Sequence, residues 1–240
     1  MPSDNEPRDL TAVNVIAVRG DRLTRRFSTP AGTVLAVDEV DVEIGAASLT
    51  VVAGPSGSGK SVLLSMISCT DRPSLGTVRV GDVAVTQLGR RARRQFRREQ
   101  LGIVLPQPSD NLLLHVSAIE NTRWAMRVRR GRRGLDAVDQ RARELMDAVG
   151  IGDLGAKQIR QLSGGEQQRL ALVCALMGEP AVLVADEPTA SLDAASSVAV
   201  VEALRVLADR GVTMIVATHD HHVIDVADAV IRLDHGTRVA

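Results

Sequence analysis

The string GPSGSGKS at 54–61 constrains this chain more than any other feature, because it fits G-x-x-x-x-G-K-[ST] and stands between a β-rich apolar run at 48–53 and a segment at 61–69 with helical spacing. A strand that turns through glycines into a helix aims successive backbone N–H groups at one point. That point lies at the positive end of the helix dipole, and the arrangement suits phosphate oxygens. Gly54, Gly57 and Gly59 supply the tight turn, Ser56, Ser58 and Val62 complete the loop and first helical turn, and Lys60 has the reach for β- and γ-phosphates. The Ser61 hydroxyl is of the type that ligates Mg²⁺. Lys60 and Lys157 are the only lysines among 29 basic side chains, which makes the placement of Lys60 more informative. The segment implies binding of ATP or GTP.

The rest of the chain must then supply what a phosphate loop works with. At 240 residues, 45% hydrophobic and 24% charged, the sequence has the length of one large domain or at most two small ones with a substantial core; the reading adopted is a single domain, 1–240, whose first residues, 1–12, form a flexible tail. The longest strictly apolar run, 170–177, is far short of the roughly 20 residues of a membrane-spanning helix. The polar N-terminus lacks the basic and apolar regions of a secretory signal, so the expected compartment is the cytoplasm. Cys69 and Cys174 lie far apart in apolar contexts and read as buried free thiols. The 29 basic and 29 acidic residues cancel, which removes bulk attraction to nucleic acid. Phe27, Phe96 and Trp124 are the only aromatics, too few for a base-stacking platform. Two arginine clusters, 89–100 and 123–133, read either as solvated faces or as contacts to something anionic.

Strand signals occur at 14–18 and 36–44, separated by a turn-rich stretch at 28–33, and again at 77–85, 101–105, 181–185, 213–217 and 230–233. Helical spacing covers 90–100, 112–154 with breaks at Gly131 and Gly134, 164–177, 194–209 and 221–229. The alternation in the second half predicts a parallel sheet covered on both faces. The apolar run 182–185 ends directly in Asp186 and Glu187, and the run 213–217 ends at Thr218 and His219. Strand ends of this kind deliver side chains to the carboxyl edge of the sheet, where α/β proteins bind ligands. Asp186 suits the water shell of Mg²⁺, Glu187 can polarise an attacking water, and an imidazole stands at the same edge.

A second anion-binding arrangement, Ser163 followed by Gly164, Gly165 and Glu166 at a helix start, lies in LSGGEQQR at 162–169. With this string the sequence resembles the ATP-binding cassette (ABC) family from about Val15 to Val239: GPSGSGKS, Gln107, LSGGEQQR, VLVADEP, SLD at 191–193 and ATHD follow the family's order and spacing. The wording of ADEPTASLD is most similar to the bacterial lipoprotein-export and macrolide-export branch, whereas Pro106 and SDNLLLHVSAIEN depart from that branch. The resemblance implies an α/β fold of the P-loop NTPase type: a mainly parallel core sheet, an N-terminal antiparallel β subdomain and an inserted α-helical subdomain at about 108–160. It implies an ATPase subunit, membrane-peripheral through its partner, that dimerises around two ATP and drives a separate membrane permease. By position it makes Gln107 the glutamine that senses Mg²⁺ and the partner, Asp193 the link between sites across the dimer, and His219 the residue that holds the γ-phosphate. Phe27 takes the place of an adenine-stacking aromatic, with a core phenylalanine as the alternative. A cassette ATPase working on DNA or ribosomes, with no transport role, is the competing expectation.

One further segment is too apolar for the surface of a small helical unit: Leu112, Leu113, Leu114, Val116, Ile119 and Trp124. It reads either as internal packing or as a groove for a helix of the membrane partner, rimmed by Arg123, Arg127, Arg129 and Arg130.

Overall fold

The computed structural model describes residues 16–30, 32–130 and 135–239, with backbone alone at 129, 130 and 135. The tail expected at 1–12 and the breaks at Gly131 and Gly134 lie outside the described residues. In chain order the elements are β1 (Ile16–Thr29), β2 (Gly32–Gly45), β3 (Leu49–Ala53), α1 (Lys60–Ile67), β4 (Leu75–Val80), β5 (Val83–Ala84), α2 (Arg90–Gln100), β6 (Leu101–Val104) and α3 (Pro108–Asn111). They continue with α4 (Ala118–Arg130), α5 (Leu135–Ala148), α6 (Gly164–Leu176), β7 (Val182–Asp186), α7 (Ala194–Asp209), β8 (Met214–Thr218), α8 (His221–Asp225), β9 (Ala229–Asp234) and β10 (Thr237–Val239).

Two sheets result. A four-stranded antiparallel sheet has the order β2-β1-β4-β5, and a six-stranded sheet has the order β10-β9-β3-β8-β7-β6. In the second, β3, β6, β7, β8 and β9 pair in parallel and β10 closes one edge antiparallel to β9. The strand runs read as continuously apolar because both faces are covered. Leu49, Val51, Leu183, Ala185, Met214 and Val216 face one core, packed with Leu172, Val200, Leu204 and Leu207 from α6 and α7. The intervening Val52, Val182, Val184, Ile215 and Ala217 face the other, packed with Leu63, Met66 and Ile67 of α1 and with Val40, Val42 and Val78 of the antiparallel sheet. The helical stretch from α3 to α5 is inserted between β6 and α6.

Where the sequence suggested two short strands around a turn at 28–33, β1 and β2 form one long hairpin that runs to a Thr29↔Gly32 pair. Its outer part is exposed on both faces at 26–30 and 32–35, so the alternation that marks a half-buried strand is missing there. The helix expected at 221–229 stops at Asp225, and β9 begins at Ala229 because its backbone joins β3. The short strand β10 is fully exposed and carries no apolar pattern of its own.

Candidate ATP site at the carboxyl edge of the sheet

Residues 54–59 connect β3 to α1 in conformations that select glycine. Gly57 and Gly59 have φ of +80° and +97°, and a Cβ on Gly59 would come within 2.4 Å of the Ala36 carbonyl oxygen. A Cβ on Gly54 would meet the Leu233 carbonyl oxygen at 2.3 Å. The loop is thus wedged between the hairpin and β9, and its last residue is the cap of α1. Lys60 is buried, and its Nζ donates to the Gly54 and Pro55 carbonyls at 2.8 and 3.0 Å. Ser56 and Ser61 are exposed, Ser58 is buried, and Val62 packs its side chain partly into the core beneath.

Asp186 and Glu187 emerge beside this loop, as the run into β7 anticipates. Burial raises the Asp186 carboxyl above the usual carboxylate range; a hydrogen bond from Ser61 and the charge of Lys60 pull it down, while Glu187 adds to the rise. Asp186 Oδ1 is buried without a hydrogen-bond partner, and so is Ser58 Oγ. The unpaired Asp186 oxygen, with the Ser61 hydroxyl acting on the same carboxylate, suits Mg²⁺, which takes one or two protein oxygens and fills its octahedron with water and phosphate. Among the described residues no group of three or more Asp, Glu, His or Cys side chains is placed to hold a metal ion.

Glu187 adopts a left-handed backbone, φ +43°, a conformation that a non-glycine residue holds only when its surroundings fix it. Those surroundings are explicit: its N–H donates to Ala217 O at 2.8 Å, Thr218 Oγ1 donates to its carboxylate at 3.1 Å, and His219 Nδ1 lies 3.1 Å from both carboxylate oxygens. Lys60 Nζ is 3.4 Å from Glu187 Oε1. Lys60, Glu187 and His219 therefore form one contiguous group at the edge of β3, β7 and β8. Thr218 and Asp220 brace it, since Asp220 accepts from Thr189 Oγ1 at 2.8 Å. Thr218 joins this group through its bond to Glu187, a position that residue chemistry alone did not single out. The signal available was its place at the end of the same buried strand as His219.

Gln107 follows β6 and donates through Nε2 to Ser191 Oγ at 3.2 Å, joining it to the segment between β7 and α7. Ser163 caps α6 in a reciprocal box: its Oγ accepts from Glu166 N and Glu166 Oε2 accepts from Ser163 N, which holds the Glu166 carboxyl below its ordinary value. Asp193 caps α7, accepting from Ser196 N at 2.9 Å and Ser196 Oγ at 2.8 Å. The two caps sit side by side, because Gly165 has no room for a Cβ against Ser196 Cβ, 2.7 Å away. Among the described residues no hydrogen bond or ion pair joins Ser163, Gly164, Gly165, Glu166 or Asp193 to the phosphate loop. Phe27, at the outer part of β1, is 37% exposed and is not a core residue.

The residue matches extend to the scale of the family. A sequence model described as "ABC transporter" matches residues 37–190. The chain belongs to the ABC transporter family. The cassette is 38% identical over 224 residues to the lipoprotein-releasing system ATP-binding protein LolD 2 of Caulobacter vibrioides, covering 92% of this chain and 95% of that protein. It is 35% identical over 236 residues to the macrolide export ATP-binding/permease protein MacB 1/2 of Paracoccus denitrificans, covering 95% of this chain but only 34% of that longer protein. A solved dimeric cassette, described as a post-hydrolysis state bound to ADP and Pi, superposes with a TM-score of 0.81 at 29% identity over 93% of this chain and 97% of that one. The cassette is thus an ATP-hydrolysing subunit of an ABC transporter that uses ATP with Mg²⁺, and the expected α/β architecture holds. The curated relatives are named for transport and give the DNA or ribosome alternative no support.

The second cluster of interest divides. Leu112 is buried and Leu114 and Ile119 pack against the core, while Leu113 and Trp124 stand 46% and 50% exposed. The exposed pair lines a recess with Ile103, Leu105, Ala125 and Val128, between β6, α4 and α6. Arg123 is not a free rim cation: it grips Asp139 of α5 through Nε and Nη2 at 2.8 and 2.6 Å, and Asp139 sits below the usual carboxylate range as a result. Arg127 is exposed, and the side chains of Arg129 and Arg130 lie outside the described residues. In the other cluster, Arg97 turns inward onto the Cys69 carbonyl at 2.8 Å. Nothing among the described residues spans a membrane as a helix.

Proposed function

We propose that two copies of this cassette, or this chain and a paired cassette, close around two ATP molecules and that closure drives a membrane permease with which the subunit associates from the cytoplasmic side. The observation that carries the reading is the pairing of two separate helix-end features. Ser163 and Asp193 are the exposed caps at the adjacent starts of α6 and α7, and among the described residues they make no hydrogen bond or ion pair to the phosphate loop of their own chain. A two-fold axis repeats each contact, so the Ser163 end of one protomer can complete the phosphate loop of the other, twice. The solved cassette described as dimeric and bound to ADP and Pi supports pairing of two cassettes.

In this reading the backbone N–H groups of 54–61 and Lys60 hold the β- and γ-phosphates, and Ser61, Gln107 and Asp186 hold Mg²⁺. When bound there, Mg²⁺ would supply positive charge against the phosphate oxygens. Glu187 accepts a proton from the attacking water at a carboxylate oxygen while the water oxygen bonds to the terminal phosphorus and ADP departs. His219 and Thr218 orient that carboxylate, and His219 also faces the γ-phosphate. Phe27 stacks on adenine. Gln107, tied to Ser191, links the site to the recess around Trp124, where a short helix of the permease docks.

Docking in the recess is tested with Trp124→Ala. Losing an aromatic anchor from the centre of an interface commonly costs about 2 kcal/mol, or roughly 30-fold in affinity. The variant is expected to lose copurification with its membrane partner while the ATPase rate of the isolated subunit stays unchanged. Full-strength copurification would place the permease elsewhere.

A further inference from the structure

The ring of Phe27 carries a cation on one side. Arg25 and Phe27 are two residues apart in β1 and so share a face of the strand. The Arg25 guanidinium carbon lies 4.5 Å from the ring centroid, well within the roughly 6 Å reach of a cation–π contact. Arg25 is itself held, because its Nε donates to Asp71 Oδ2 at 2.7 Å. Asp71 belongs to the turn that ends α1: Thr70 and Asp71 both donate backbone N–H groups to Ser65 O at 3.0 Å. The same turn is stitched to β1 by Ser74 N–H to Thr24 O at 2.7 Å and by Arg26 N–H to Ser74 Oγ at 3.1 Å. The far end of the phosphate-binding helix thus fixes a guanidinium, and the guanidinium fixes an aromatic ring.

We infer that Arg25, anchored by Asp71, is a positioning residue for the base of the nucleotide: it pins Phe27 and leaves the opposite face of the ring for adenine. The inference rests on the assignment of Phe27 to the base given above. Two physical consequences follow. A ring sandwiched against a fixed cation gives up little rotamer freedom on binding, so the stacking partner is preorganised. The cation also draws electron density toward its own side, which lessens the repulsion that the negative face of one π-system exerts on another. Because α1 presents its N-terminus to phosphate and its C-terminal turn to Arg25, a single helix sets both where the phosphates sit and where the base sits.

The test is titration calorimetry of the full-length subunit with Mg²⁺–ATP and, separately, with Mg²⁺–tripolyphosphate, which has the phosphates and no base. Arg25→Ala is expected to weaken ATP about fivefold, the scale of one cation–π contact plus lost preorganisation, with tripolyphosphate affinity and kcat at saturating ATP unchanged. Arg25→Lys, which keeps a cation over the ring, is expected to retain most of the ATP affinity, and Asp71→Ala to shift it in the same direction as Arg25→Ala. In a Phe27→Ala background, removal of Arg25 is expected to add nothing. The inference is overturned if Arg25→Ala leaves ATP affinity intact, or if it weakens tripolyphosphate equally, which is the mark of a purely structural arginine. If Phe27→Ala itself leaves ATP affinity intact, the assignment of Phe27 fails first and the inference with it. If Phe27→Ala weakens ATP while Arg25→Ala does not, only the role of Arg25 is lost.

Discussion

Glu187→Gln is expected to bind ATP as well as the wild type and to hydrolyse it at least about 10²-fold more slowly, the scale of a lost general base. The substitution is nearly isosteric, so the Thr218 hydroxyl can still donate to the side-chain oxygen, and the backbone bond to Ala217 O that secures the left-handed turn is untouched. What disappears is an oxygen able to take a proton and the charge 3.4 Å from Lys60 Nζ. A site that loads but does not discharge holds its dimer closed, so the variant is expected to accumulate as an ATP-bound dimer on size exclusion where the wild type returns to monomer. Turnover at the wild-type rate would remove Glu187 from the role of base.

Lys60→Ala is expected to have the other large effect. The side chain is 6% exposed and both of its close acceptors are loop carbonyls, those of Gly54 and Pro55, so it sits within the curve of the loop it serves. Within the segment 54–61 it is the only cationic side chain, and the dipole of an eight-residue helix replaces only part of a full charge. ATP affinity or turnover is expected to drop by 10² or more, by roughly the scale of a removed phosphate clamp. The fold should survive, because alanine is a strong helix former and the glycines around it are unchanged. Equilibrium binding and steady-state hydrolysis, measured beside thermal unfolding, check this. Wild-type values of both would show that the loop does not bind phosphate.

Much of the site can be read from the residues because its parts are local. A phosphate loop is a run of adjacent positions, and Asp186, Glu187 and His219 each follow an apolar strand whose end must fall at one sheet edge. The caps are equally local, since Ser163 with Glu166 and Asp193 with Ser196 are spaced three apart. What escapes is anything set by contacts between distant segments. Gln107 to Ser191 and Arg25 to Asp71 join positions 84 and 46 apart, and no periodicity announces them. The length of the β1–β2 hairpin escapes for a related reason: residues 26–30 and 32–35 lie beyond the buried layer, so strand pairing rather than alternating hydrophobicity holds its outer part. Most arginines of the cluster at 89–100 are exposed, as a solvated face requires, but two arginines of the clusters turn to internal partners. Arg97 and Arg123 look like surface charge in the sequence, yet one satisfies a carbonyl past the end of α1 and the other locks α4 to α5.

Whether each ATP site is built from two chains is decided by mixing two inactive proteins. Ser163→Arg chains retain Lys60, and Lys60→Ala chains retain Ser163. If phosphate contacts are made across the dimer, every heterodimer holds one site with both defects and one site with neither. Random mixing makes half the dimers heterodimers with one intact site of two, so about a quarter of wild-type ATPase activity is expected to return. The ATPase rate of the mixture, with heterodimers verified by capture through different tags on the two variants, is the measurement. Recovery near that fraction is the result expected of composite sites, and a mixture as inactive as its parts despite verified heterodimers would contradict them.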